Sequence, residues 1–418
     1  MTLVFGLGRS GTAVLRFLAR RGRKACFYDD DPRPEDVQAA RELGFEPCDP
    51  LAAAPALVVA APGVPLSHPL LAKLERRGAE VIGEVELAWR EGAPPLVGIT
   101  GTAGKTTTTT YTAQLLNAHG IRAAAAGNID PPLVAVTDEP GLQAAAVELS
   151  SFQLERTRRF RPRVAVLLNL GTDHLDRHGS LENYHAAKLR LLANLTPADA
   201  LVYNAADPLV VAAAATSPAQ RLPFTPAGDP RSSNARASAL AAAALAARLG
   251  VRLEATALEA EALRLPPVPG RFQTIGYIGD VAVIDDSIAT RSDAVAAALA
   301  AAPAPLVWIA GGVDKGAATE PLLPLVRERV ALLLAVGRDG PKFARAFAGS
   351  TKVEVVGEED GAAALAAAVE RALAEPNVSS IVLAPLATSF DQFADYKERS
   401  RVFRRVAAAV GGEAWTPS

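Results

Sequence analysis

The sequence predicts an α/β protein of three domains with mainly parallel sheets. Short apolar runs such as "TLVFG", "ALVVAAPG", "VAVLLNLG", "LVWIAGG" and "IVLAPL" alternate with longer Ala/Leu/Arg stretches of helical character, the pattern of strands crossed over by helices. Two proline-rich stretches, "EGAPP" at 91–95 and "LRLPPVPG" at 263–270, read as linkers and divide the chain into 1–93, 94–267 and 268–418. Each segment is long enough for its own core at ~100–200 residues per domain.

Composition narrows the function. Half of the 418 residues are hydrophobic, yet no apolar run reaches the ~18–20 residues of a membrane span. The start "MTLVFGLGRSG" lacks the charged region and cleavage site of a signal peptide. A cytoplasmic enzyme without a membrane partner is expected. A net charge of -2 and no basic tail argue against nucleic acid as a partner. Cys26 and Cys48, with no CxxC and no nearby histidine pair, indicate neither a disulfide framework nor a zinc site and read as packing or surface residues. The alanine-rich stretches 236–249 and 361–374 read as closely packed helices.

In α/β sheets ligands bind beyond the carboxyl ends of the strands, so residues just after each apolar run are where chemistry is sought. Residues 98–110 read "GITGTAGKTTTTT" after the strand-like "PLVGIT" and before the helical "TYTAQLLNAHG". The general P-loop spacing fails, because Ile99 stands where its first glycine belongs. The context still suits phosphate: a strand, a glycine turn and a helix N-terminus surround an anion with N–H groups. Lys105 reaches terminal phosphates, and Thr106 or Thr107 offers a hydroxyl to Mg²⁺.

Gly6, Gly8 and Gly11 form G-x-G-x-x-G between strand and helix, with Asp29 and Asp30 after "KACFY". That is a dinucleotide or nucleotide-sugar signal, against a ligand-free tight turn. Glu148 in "VELSSFQLE" ends a strand where an acid meets P-loop-bound Mg²⁺; its other reading is an ordinary helix-start Glu. Asp173, His174 and Asp176 crowd the turn after "VAVLLNLG", with Lys188 on the next helix, and suit a divalent metal or a capped turn. In the last segment "VIDDSIATR", "IAGGVDKG" and "LAPLATSFDQF" end strands in small residues with Asp, Lys or Ser, as an anion and substrate face or as solvated loops.

Taken together these motifs resemble the Mur ligase family, whose P-loop has the form T-G-T-x-G-K-T and is matched outright by "TGTAGKTT" at 100–107. The resemblance covers all three segments. "VELSSFQLE", "NLGTDHLDRHGSLENYHAAK" and "APLATSFDQFADYKERSRVF" are similar to the member that adds D-glutamate to UDP-N-acetylmuramoyl-L-alanine. The resemblance implies a Rossmann-like UDP-sugar domain at 1–93, a P-loop ATPase-like domain at 94–267 and a Rossmann-like amino-acid domain at 268–418. It implies peptidoglycan precursor synthesis, and so a part in cell wall biogenesis, cell shape and division. A monomer is expected.

Residue by residue, the resemblance places Gly101, Thr102, Gly104, Lys105, Thr106, Thr107, Asn234, Arg271 and Asp286 around ATP. Gly8, Arg9, Ser10, Asp29 and Asn128 fall to the UDP-sugar, not NAD, and Lys315, Ser389, Phe390 and Tyr396 to D-glutamate. Thr106 and Glu148 become ligands of one Mg²⁺; His174 and a carbamylated Lys188 serve a second; Lys105, Lys188 and His174 form the catalytic set. Ala237 departs from the family, standing where a second adenine-side Asn is common, and Ile288 replaces a frequent lysine. The implied reaction is amide formation through an acyl phosphate, with closure of the C-terminal domain. A folylpolyglutamate-synthase-like ligase is the rival within the superfamily, decided by folate binding. An NAD-binding sensor is the rival from another class, decided by NADH titration.

Overall fold

The computed structural model describes residues 1–314 and 316–418; Lys315 lies outside the described residues, as do the side chains of Asp176 and Asp293. The chain forms two compact units, Met1–Leu265 and Pro266–Ser418.

The first unit holds two sheets. One has the spatial order Ala25–Tyr28, Thr2–Phe5, Leu57–Ala60, Glu80–Ile82, with every pair parallel. The other runs Gln220–Phe224, Ala200–Asn204, Val164–Leu167, Leu96–Thr100, Ala144–Glu148, Ala123–Gly127, again parallel throughout. Strands buried on both faces read as continuous apolar runs, which is why "VAVL" and "AAAVE" carry no polar alternation. Leu96–Thr100 lies between the strands ending at Leu167 and Glu148, so the residues after all three meet at one edge.

An apolar cluster extends across the proline-rich stretch at 91–95. Helices Arg9–Arg20, Glu84–Arg90 and Leu133–Val136 share one apolar cluster that reaches both sheets. Glu86, fully buried, accepts from the backbone N–H groups of Arg158, Arg159 and Phe160 at 2.9–3.1 Å and from Arg90 Nε at 2.7 Å. A buried carboxylate so fully satisfied ties the segments firmly, because loss of a partner would strand its charge.

The second unit is one seven-stranded sheet in the order Lys352–Val355, Val330–Val336, Leu306–Gly311, Ser380–Leu383, Val281–Asp285, Gln273–Ile278, Trp415–Pro417. The first five strands are parallel; Gln273–Ile278 alone runs against the rest, antiparallel to both of its neighbours. Trp308 anchors its core, donating Nε1–H to Ala384 O at 2.7 Å and meeting Phe347 edge-on at 5.0 Å. The α/β expectation with mainly parallel sheets holds. The alanine-rich stretches are helices Pro230–Arg248 and Gly361–Leu373.

The cysteine reading is corrected. Cys26 and Cys48 are disulfide-bonded, with Cα atoms 5.9 Å apart. The pairing arises because Cys48 N donates to Phe27 O and Phe27 bridges to Pro47, laying the two segments side by side. No helix of the described residues is long and apolar enough to cross a membrane.

Candidate active site

The P-loop is positioned from below. Strand Leu96–Thr100 delivers Gly101, and Gly104 caps helix Lys105–Ala118 in the left-handed region at φ 83°. That left-handed backbone favours glycine, and the Asn234 side chain lies close over it, its Oδ1 2.5 Å from where a Cβ would stand. Asn169, which follows the neighbouring strand, accepts at Oδ1 from Thr102 N and Ala103 N, both at 2.8 Å. Its Nδ2 donates to Ala103 O at 3.2 Å. Thr102 Oγ1 accepts from Gly171 N at 2.9 Å and lies 3.2 Å from Tyr184 Oη. Asn169 and Tyr184 are absent from the sequence-derived site; the only signal was an Asn after a buried strand.

Lys105 Nζ donates to Gly101 O and Thr102 O, each at 2.9 Å. Lys188, buried on helix Leu181–Leu189, donates Nζ–H to the same Gly101 O at 2.7 Å and sits 4.6 Å from the Tyr184 ring centre. Thus the two candidate catalytic lysines converge on one carbonyl. Thr107 is buried one residue past Thr106 on the P-loop helix, and Asn234 faces that helix, accepting from Thr108 Oγ1 at 3.4 Å.

Glu148 ends strand Ala144–Glu148 and is buried. Its Oε2 accepts from Thr106 Oγ1, and its Oε1 from Asn128 Nδ2 at 2.8 Å. Asn128 O in turn accepts from Arg9 Nη2 at 3.0 Å. One carboxylate therefore links the P-loop to the loop beside the glycine turn. A Thr hydroxyl beside a carboxylate is a hard-oxygen pair that fits Mg²⁺, which completes its shell with water and phosphate oxygens. No group of three His, Cys, Asp or Glu gathers to hold a metal among the described residues. Lys188 as an ammonium is a donor and not a ligand, so a metal role there requires its modification.

At the glycine turn, Gly8 caps helix Arg9–Arg20 and Ser10 lies in its first turn. Asp29 Oδ2 accepts from Leu7 N at 2.6 Å, bracing the turn from the next strand. Glu84, buried near Arg9, accepts from Val134 N at 2.7 Å; burial pushes its carboxyl up to about 7.

His174 stands at φ 51° as the cap of Leu175–His178, with Nε2 3.2 Å from Asp173 Oδ2 and its ring 4.7 Å from Phe152. Behind it His178 is held between Glu155 Oε1 and Ser151 Oγ, 3.0 Å from each, and burial lowers its pKa.

In the second unit, Asp286 follows strand Val281–Asp285, and burial raises its carboxyl to about 7 against a backbone hydrogen bond from Phe272 and the charge of Arg271. Ser389 is buried, its carbonyl accepting from Gln392 N and Phe393 N, whereas Phe390 is largely exposed and Tyr396 opens helix Tyr396–Gly411. Lys315 lies outside the described residues. Sequence reading missed Arg399, buried on that helix, whose Nη2 donates to Ser287 O at 2.8 Å and Ala387 O at 3.2 Å. It joins the loop carrying Asp286 to the loop carrying Ser389.

Three family models match in chain order: a Mur ligase MurD-like N-terminal domain at 1–83, a Mur ligase middle domain at 99–242 and a Mur ligase glutamate ligase domain at 270–385. The chain is 60% identical over 419 residues, covering 100% of both, to a UDP-N-acetylmuramoylalanine–D-glutamate ligase of Thermus thermophilus. The chain belongs to the Mur ligase family. The protein of the same name from Deinococcus radiodurans is 46% identical over 433 residues, covering 98% of this chain and 92% of the relative. Among solved structures, the Mur ligase fold is shared with a pseudomurein peptide ligase type C from Methanothermus fervidus (TM-score 0.58, 17% identity, 97% and 99% covered). It is shared equally with the MurF ligase of Thermotoga maritima in complex with ADP (TM-score 0.58, 16% identity, 97% of each chain).

Proposed function

We propose that this Mur ligase joins D-glutamate to the L-alanine carboxylate of UDP-N-acetylmuramoyl-L-alanine at the cost of ATP, in cytoplasmic peptidoglycan precursor synthesis. The observation that carries the reading is the Thr106–Glu148–Asn128–Arg9 chain of contacts, which joins a phosphate cradle to a glycine turn suited to a sugar nucleotide. The end-to-end likeness to relatives named for this reaction supports the choice of substrates.

A carboxylate is a poor electrophile, so the alanine carboxylate first attacks the γ-phosphate. The acyl phosphate that results is attacked by the D-glutamate amine, and phosphate leaves. Gly101, Thr102, Gly104 and Thr107 surround the phosphates, with Asn234 behind them, and Lys105 swings from its carbonyl partners to neutralise charge on the transferring group. Asn128 orients the alanine end, while Gly8, Arg9, Ser10 and Asp29 hold the UDP end. Thr106 and Glu148 would hold Mg²⁺, which would supply Lewis-acid neutralisation of the phosphates. His174 and a carbamylated Lys188 would hold a second ion. Arg271 and Asp286 serve ATP; Lys315, Ser389, Phe390 and Tyr396 serve D-glutamate. The chain acts as a monomer with functional segments 1–93, 94–267 and 268–418.

The test is isotopic. With ¹⁸O in the alanine carboxylate, ATP, Mg²⁺ and D-glutamate, one labelled oxygen is expected in each released phosphate, because the amine displaces phosphate together with the bridging oxygen. Unlabelled phosphate rejects the acyl phosphate, and no phosphate release with these substrates rejects the function.

A further inference from the structure

Strand Leu57–Ala60 runs into a loop, residues 61–64, that lies against the glycine turn. Ala61 N donates to Phe5 O at 2.8 Å, and a Cβ on Gly6 would stand 2.9 Å from Ala61 Cβ and 3.2 Å from Val64 Cγ2. Gly6, at φ 92°, is the residue that allows this approach. The loop is thus a wall of the same turn that Gly8 and Asp29 shape.

One guanidinium takes three successive carbonyls of this wall. Arg177 Nη1 donates to Gly63 O at 2.9 Å, and Nη2 to Pro62 O at 2.9 Å and Val64 O at 3.0 Å. The planar head lies over the Phe152 ring, 4.4 Å from its centre, and Phe152 also packs against the His174 ring. Glu155 is 3.8 Å away, beyond a good hydrogen bond, so the three carbonyls and not an ion pair define the geometry. Because a peptide unit is planar, fixing the Pro62 and Gly63 carbonyls also fixes the directions of the Gly63 and Val64 N–H groups, of which the second donates to Ala61 O at 3.1 Å. A lysine, a point donor on a flexible stem, cannot span the same three acceptors.

We infer that Arg177 is a positioning residue for the sugar-nucleotide substrate. It locks the 62–64 wall to the His174 turn, so that the diphosphate end and the reacting carboxylate end of one substrate are held at a fixed spacing. The inference rests on the reading that the glycine turn takes the UDP end.

Both ideas are separable by experiment on the full chain. Calorimetric binding of UDP-N-acetylmuramoyl-L-alanine and steady-state constants for all three substrates would be compared for Arg177→Lys, Gly8→Val and the unaltered protein, with thermal melting as the control for folding. Arg177→Lys should weaken sugar-nucleotide binding at least about tenfold, the scale of losing charged hydrogen bonds. The KM values for ATP and D-glutamate should stay within about twofold. Unchanged sugar-nucleotide affinity overturns the inference, and so does a uniform rise in all three KM values. Gly8 has an ordinary φ of −48° and open space around its Cβ position, so Gly8→Val should fold and yet obstruct the turn. Normal substrate binding by Gly8→Val removes the underlying reading, whatever Arg177→Lys does.

Discussion

The first unit contains two strand–glycine–helix turns, and they are braced by different chemistry. Beneath Gly6–Gly11 the brace is a carboxylate, Asp29, on Leu7 N; beneath Gly101–Gly104 it is a neutral amide, Asn169, on Thr102 N and Ala103 N. Both satisfy backbone donors that a tight turn leaves over. The difference lies in the charge each adds. A nucleoside triphosphate undergoing transfer gathers more negative charge than a sugar diphosphate, and a further carboxylate at the P-loop would oppose it. The amide gives the P-loop the same geometry at no electrostatic cost. The glycine turn tolerates an anion, with Arg9 at its rim.

The comparison can be broken at four points. Lys105→Ala removes the transferable positive charge of the P-loop, and turnover should fall at least ~10²-fold with the melting temperature unchanged, as measured by phosphate release. Near-normal turnover would mean the loop is not the phosphate site. Next comes the amide itself. Asn169→Asp keeps the two accepted bonds but adds charge and loses the bond donated to Ala103 O, while Asn169→Ala loses the donated bond and both accepted ones. If charge is what distinguishes the turns, the Asp variant should raise the KM for ATP more than the Ala variant, which should cost about tenfold. Equal effects would reduce the brace to geometry. The converse at the other turn is Asp29→Asn, which keeps an acceptor for Leu7 N and should change sugar-nucleotide affinity by only a fewfold; a loss above about tenfold would give the charge of Asp29 a role of its own.

The smallest effect is on stability. Glu84 has a folded pKa of about 7 against an ordinary 4.5, because burial disfavours its ion. Its protonated form is therefore the one the fold prefers. Between these two values the unfolded chain binds fewer protons than the folded one, so stability declines as pH rises through this window and levels off above about 7. The limit is about 3 kcal/mol at 1.36 kcal/mol per pKa unit. Glu84→Gln should flatten thermal melting between pH 5 and 8 by a few degrees; an unaltered slope would show that the carboxyl ionises freely in the fold.

Much of this site was legible because its parts follow apolar strands. Lys105, Thr106, Glu148 and the glycine turn each carry a local signature, Asn128 entered through the family resemblance, and the structure links Thr106, Glu148, Asn128 and Arg9 of that turn by hydrogen bonds. The braces were not legible. Asn169 contacts residues 66 and 67 positions away, and Arg177 residues 113 to 115 away, so neither leaves a spacing to read. The Cys26–Cys48 bond depends on a bridge between Phe27 and Pro47 that no spacing rule announces. The proline stretch at 91–95 marks a change of sheet; the buried Glu86 and the shared apolar cluster erase it as a boundary of compactness.

Asn169 has a consequence for how the protein ages. A side-chain amide is a thermolabile group, and hydrolysis of this one converts the brace beneath the P-loop into aspartate, with no residue deleted and the acceptor for Thr102 and Ala103 retained. Warm storage that hydrolyses it would then yield molecules almost unchanged in mass that have lost the Nδ2–H bond to Ala103 O and gained a charge beneath the P-loop, and with them a weaker grip on nucleotide.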